Sequence, residues 1–134
     1  NMNEVAMGNI VTSLKTICDD YVVHFYPIIR AQVVEPPNIL RCGIARGKVL
    51  SVGNGGDYVG PCINIASRLQ KLSHLTFCFP QRGFEIKYMA KSFKEHLAEK
   101  RIAIRGIGEK ELVWVFKEEF DDLPDEEKEL FREP

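Results

Sequence analysis

Near the start of the chain, Ile10, Leu14, Ile17, Tyr21, Phe25 and Ile28 recur three and four positions apart. That period predicts a long amphipathic helix from about Val5 to about Tyr26, with these residues on its buried face. Pro27 has no N–H to continue the hydrogen-bond ladder, so the helix kinks or ends there. A loop over 31–38 follows, in which Pro36 and Pro37 force extended backbone.

Residues 40–71, LRCGIARGKVLSVGNGGDYVGPCINIASRLQK, organise the rest. The pattern reads as strand, tight turn, strand, glycine-rich loop and helix. Arg46-Gly47-Lys48 separates two runs rich in Val, Ile and Leu at hairpin spacing. Residues 53–60 offer several glycines where positive φ costs little, and Gly60-Pro61 opens a helix. On that helix Cys62, Ile65, Ala66, Leu69 and Leu72 form the apolar face. Asn64, Arg68 and Lys71 form a polar stripe opposite, and by spacing alone such a stripe is an ordinary solvated face.

Downstream, residues 75–79 read as a short buried strand stopped by Pro80, and 81–88 as loop or half-turn. Residues 90–100 (AKSFKEHLAEK) read as a short helix burying Phe93 and Leu97. Residues 101–105 and 112–116 read as an antiparallel pair around the 106–110 turn, the second rich in strand formers through Val113, Trp114 and Val115. Pro124 and the acids after it suit the first turn of a last short helix, which Leu130 and Phe131 dock. Helices with mainly antiparallel strands give an α+β fold.

Composition narrows the function classes. The 134 residues, 45% of them apolar, suffice for one domain with its own core over 1–134. A formal net charge of −1 gives no electrostatic case for nucleic acid or membrane binding. The acidic tail, 121–134, holds seven acidic and two basic residues, leaving the remainder at +4. That mild excess suits an anionic small ligand and equally suits none. Cys18, Cys42, Cys62 and Cys78 lie in apolar stretches without a C-x-x-C pair, which implies small core residues and a reducing, cytoplasmic setting. His24, His74 and His96 lack metal-ligand spacing. No signal peptide or membrane-length apolar run is expected.

Two stretches carry a resemblance. Gly43-Ile44-Ala45-Arg46-Gly47-Lys48-Val49 and Gly60-Pro61-Cys62-Ile63-Asn64-Ile65-Ala66-Ser67-Arg68-Leu69 match G-I-x-x-G-x-V and G-x-x-[VI]-N-x-A-x-R-L. This resembles the core of the class III nucleotidyl cyclase domain, which makes cyclic AMP or cyclic GMP. Residues 102–109 (IAIRGIGE) resemble that family's late strand and K-G-x-x-E turn.

The resemblance implies a ferredoxin-like antiparallel sheet with packed helices, in an incomplete cyclase-type domain. It implies a nucleoside triphosphate, ATP or GTP, as substrate, and a homodimer that shares the site. Catalytic roles fall on Asn64 and Arg68, which act on ribose and phosphate; a planar guanidinium suits the latter. Substrate-binding roles fall on Asp57, at the purine-selecting position, and on Arg105, near a late phosphate-binding lysine. A turn aspartate is the competing reading of Asp57, and Ile107 occupies the more distal basic position. In the family, two aspartates upstream of the long helix hold Mg or Mn. Asp19 and Asp20, inside the helix, do not replace them. The match therefore covers roughly the C-terminal two thirds of that domain, with no metal expected in this chain alone and no cyclisation by it unaided. The hairpin 49–57 is also shorter than the family's. The alternative is an inactive cyclase-homology module that dimerises or senses nucleotide. An RNA-binding ferredoxin-like domain is set aside, because no strand interleaves aromatic and basic residues.

Overall fold

The computed structural model describes residues 3–53, 56–73, 76–103 and 110–131. The chain begins with α1 (Glu4–Asp20), capped by Asn3, whose side-chain oxygen accepts from the Ala6 N–H at 2.8 Å. A π-helical turn, Tyr21–Phe25, follows, and α2 (Tyr26–Ile29) carries Pro27 in its first turn. The Tyr26 N–H bonds the Tyr21 carbonyl, five residues back. That wider turn relieves the carbonyl a proline ring would strike in a regular helix. The expected kink is therefore a widened turn.

The buried stripe differs from the expected one. Met7, Val11, Lys15 and Tyr21 are buried, whereas Ile17, Phe25 and Ile28 are exposed. Ile10 and Leu14 only flank the core. The face turned inward is thus the neighbouring stripe, and the π turn moves the residues beyond it off that face.

Residues 41–49 belong to no helix or strand, contrary to the expected hairpin around 46–48. No described strand lies beside them to take their backbone groups. The hairpin forms one step later. β1 (Leu50–Val52) pairs antiparallel with β2 (Asp57–Val59), Leu50 opposite Val59, and Gly53 enters the turn at φ +68°. The helix α3 (Pro61–Leu72) then follows.

A second sheet forms the centre. It comprises β3 (Cys78–Pro80), β4 (Leu97–Ala103) and β5 (Lys110–Phe116) in the order β3-β5-β4, all antiparallel. Pro80 is tolerated because β3 is an edge strand. Between β3 and β4 lie a 3₁₀ turn (Ile86–Tyr88) and α4 (Lys91–Lys94). The helix expected over 90–100 stops at Lys94, and Leu97 starts a strand instead. Its sequence favours helix, but seven residues of β5 offer a ladder from Leu97 opposite Phe116 to Ala103 opposite Lys110. Tertiary pairing outweighs local propensity here. The chain ends with α5 (Lys117–Asp121) and α6 (Asp125–Lys128). Phe131 docks as expected, while Leu130 remains exposed. The architecture is α+β with antiparallel sheets.

Alternation along β5 divides the core in two. Val113 and Val115 join Ile65, Leu69 and Leu72 of α3, with Cys78, Ile102 and Phe131. Trp114 and Phe116 face the other way, toward Met7 and Val11 of α1 and toward Phe77, Phe79 and Phe84. The sheet is therefore covered by α3 on one face and α1 on the other.

One polar clamp crosses this packing. The buried Lys15 Nζ lies 2.6 Å from Asp19 and 2.6 Å from Glu119, and 4.5 Å from the centre of the Phe116 ring. Glu119 also accepts from the Phe77 N–H at 3.0 Å and the Thr76 hydroxyl at 3.2 Å. Burial by itself lowers the Lys15 pKa, but the hydrogen bonds and charges of the two carboxylates outweigh it and raise the pKa above its ordinary 10.5. A raised lysine stabilises the fold below its unfolded value and loses that contribution as pH rises through the folded one. Lys15→Met should lower unfolding free energy by about 1–3 kcal/mol at neutral pH. The difference between the two proteins should shrink above pH 10.5. Urea titrations at both pH values check this; an unchanged midpoint would show that the clamp is solvent-screened.

Candidate functional site

The expected site residues centre on α3, and the structure explains how that helix is seated. Gly60 precedes Pro61, and a Cβ on Gly60 would come within 2.5 Å of the Lys48 carbonyl oxygen. The requirement there is close approach, since its φ of 167° is ordinary extended backbone. A Cβ on Gly43 would lie 1.9 Å from the Ala66 carbonyl oxygen and 2.8 Å from the Gln70 nitrogen. The chain at Gly43 thus lies directly against α3, backbone to backbone. The Cys42 N–H donates to the Ser73 hydroxyl at 2.9 Å, which ties the same stretch to the end of the helix. Two glycines of the G-I-x-x-G and G-P-x-x-N stretches therefore have steric reasons to be glycine.

With Ile65, Leu69 and Leu72 buried, Asn64 and Arg68 fall one turn apart on the outer part of α3. Asn64 is exposed and Arg68 half-buried. The Arg68 Nε is buried and has no hydrogen-bond partner among the described residues. A shielded guanidinium nitrogen without an acceptor is costly and uncommon. Lys71, the third residue of the stripe, is exposed. Asp57 opens β2, exposed and opposite Val52, and neither bonds nor pairs with Asn64 or Arg68 among the described residues. Arg105 lies outside the described residues.

The face of α3 toward α1 borders an open groove of about 610 Å³, lined by Ile10, Ile44, Val49, Cys62, Ile63 and Ala66 among others. Arg46 stands in its wall, donating to Glu4 at 2.8 Å and to the Gly83 carbonyl at 3.1 Å. The sequence marked Arg46 only as a turn residue; its reach to Glu4, 42 positions away, had no local signal. Lys15 was equally hidden, although its place four after Val11 and three before Cys18 sets it on the inward stripe. Beside it a half-open cavity of about 190 Å³ is lined by Lys15, Cys18, Asp19, Leu40, Ser73, Phe77 and Glu119 among others.

Among the described residues no group of three or more His, Cys, Asp or Glu side chains is placed to hold a metal ion. Also among the described residues, no helix is long and apolar enough to cross a membrane.

Gly43→Ala should cost more than about 3 kcal/mol, because its methyl group meets backbone atoms that cannot rotate away. A urea midpoint close to that of the unaltered protein would mean that the chain at Gly43 does not sit against α3 in solution. No family model matches the chain, and neither the curated proteins nor the solved structures include a match to it.

Proposed function

We propose that this chain is part of a nucleotidyl cyclase-type domain, and that its α3 presents Asn64 and Arg68 to a nucleoside triphosphate. Arg68 takes the phosphate and Asn64 the ribose, while Asp57 selects the purine of ATP or GTP and Arg105 adds a further phosphate contact. The observation that carries this reading is the Arg68 side chain, half-buried with a shielded, unpartnered Nε. Phosphate oxygens are the acceptors that a planar guanidinium matches best. The seating of α3 by Gly43 and Gly60 supports the same reading, since both glycines belong to the stretches that resemble the family.

In the complete domain the reaction is an in-line attack of the 3′-hydroxyl on the α-phosphorus, releasing pyrophosphate. Bound Mg or Mn would neutralise the charge that develops on the phosphates. The residues of this chain bind and orient: Arg68 offsets charge on the phosphate, and Asn64 holds the ribose in line. A ferredoxin-like arrangement and a cytoplasmic setting belong to the same proposal.

A specific observation also favours a second reading, a dimerising cyclase-homology module without activity. The hairpin β1–β2 and its flanks expose Val49, Leu50, Val52, Tyr58, Val59 and Ile63, with Leu50 at 70%. An isolated two-stranded hairpin with apolar side chains in water is marginal until another surface covers it. A two-fold contact between copies through this hairpin satisfies both readings, since it borders the helix of Asn64 and Arg68. Sedimentation at rising concentration should report a dimer, and Leu50→Lys should return it to monomer. A monomer at every concentration would remove the shared-site arrangement.

Titration with ATP or inorganic triphosphate should move amide resonances of α3 and β2. Arg68→Ala should abolish the shift without unfolding the protein, because the truncation also removes a shielded donor that has no acceptor among the described residues. Binding should weaken with added salt, as charge contacts do. Saturating triphosphate that moves nothing near Arg68 in the folded dimer would leave the dimerising module as the better account.

A further inference from the structure

We propose that Cys18 and Cys42 form a reversible disulfide site, closed by a small hydroperoxide, that fastens α1 to the segment feeding α3. The two residues are 24 positions apart, so neither helical nor strand spacing brings them together. The fold does so through two separate anchors. Cys18 lines the 190 Å³ cavity between α1 and the rest of the molecule, and Ser73 lines the same cavity. The Ser73 hydroxyl accepts the Cys42 N–H at 2.9 Å, which fixes Cys42 beside that cavity. Both side chains are half-buried and pack against the same core cluster. The fold brings the two thiols close enough that each perturbs the other.

The other two cysteines are placed differently. Cys78 is fully buried in β3, its thiol pushed up to about 12 by burial. Cys62 lies on α3 against the 610 Å³ groove. Among the four, Cys18 has both a cavity through which a small oxidant arrives and a second thiol nearby.

The chemistry balances. The Cys18 thiolate attacks the outer oxygen of ROOH, the O–O bond breaks, and Cys18 sulfenic acid and ROH result. The Cys42 thiol then attacks the Cys18 sulfur, the S–O bond breaks, and water leaves as the S–S bond forms. Two thiols and one hydroperoxide become one disulfide, one alcohol and one water, and a dithiol reductant reverses the change.

Burial raises both thiols above their ordinary value, which keeps them protonated at rest. Lys15 opposes this for Cys18, while Asp19 on the same helix and Glu119 on α5 reinforce it. Oxidation should accordingly accelerate with pH, by about tenfold per unit across the neutral range, in step with the thiolate fraction. The consequence for the fold follows from Gly43, the next residue after Cys42. A covalent bond at Cys42 immobilises the segment that lies against Ala66, and so stiffens the seat of α3 without touching Asn64 or Arg68. The proposal is independent of the nucleotide reading.

The test uses the whole chain, reduced, desalted and treated with one equivalent of hydrogen peroxide. Intact mass should fall by two hydrogens, and peptide mapping after alkylation should find Cys18 joined to Cys42 with Cys62 and Cys78 alkylated. Cys42→Ser should stop at the Cys18 sulfenic acid, trapped by dimedone, and Cys18→Ser should leave Cys42 reduced. Hydrogen exchange over 41–48 should slow in the oxidised form and recover with dithiothreitol. A different pairing, a disulfide between chains through Cys62, or unreacted thiols at both positions in the folded unaltered protein would overturn the proposal. Mapping of the unaltered chain decides the matter even where a serine variant folds poorly.

Discussion

Strand β5 is the constraint on which the other elements depend. It has a partner on each edge, β3 and β4, and an apolar cluster on each face. A strand covered on all sides fixes its neighbours, because a one-residue slip would exchange Val113 and Val115 with Trp114 and Phe116. Small branched residues meet the aliphatic face of α3, and large rings meet the aromatic cluster beneath α1. Neither helix fits the other's face, so β5 determines which helix lies where. Helices of α+β folds are more often segregated to one face of the sheet; here the two-sided covering follows from that alternation.

The parts legible in the sequence were those set by local geometry. Pro27 and Pro61 marked a disrupted turn and a helix start, and the apolar set Ile65, Leu69 and Leu72 on α3 faces inward as its spacing required. The parts that were not legible depend on partners distant in the chain. Leu97 sits in a sequence that favours helix and becomes strand because β5 has an open edge. Residues 41–45 have strand composition and form none, because no described strand is available to pair. Ile17 and Phe25 fit a helical stripe, yet lie outside the buried arc that Met7 and Val11 define. The candidate site divides the same way. Asn64 and Arg68 sharing a face follows from a spacing of four, whereas the shielding of the Arg68 Nε, the nearness of Cys18 to Cys42 and the reach of Arg46 to Glu4 are tertiary facts without a local signature.

Lys15 and Glu111 have charged partners, whereas the Arg68 Nε and the Glu4 Oε2 are shielded without a hydrogen-bond partner among the described residues. Lys15 has two carboxylates and a ring face. The buried Glu111 is met by Arg82 at 3.0 Å. Against these, the Arg68 Nε stands out as a shielded donor with no acceptor among the described residues. Buried ionic groups left unmatched lower stability, so the Arg68 Nε is retained at a cost that the proposed phosphate would offset.

The Lys15–Glu119 bond spans 104 positions, which gives the molecule an order of assembly. Synthesis delivers α1 well before Phe116 and Glu119, which receive Lys15. Until then the inward stripe of α1 has few local partners to bury it, and closing so long a loop is slow compared with forming a helix. The nascent chain therefore carries an unpaired amphipathic helix while the intervening residues are made. A long-lived apolar stripe of that kind is where a chaperone binds or where two unfinished chains associate. The lysine that closes this packing is thus made long before its partner.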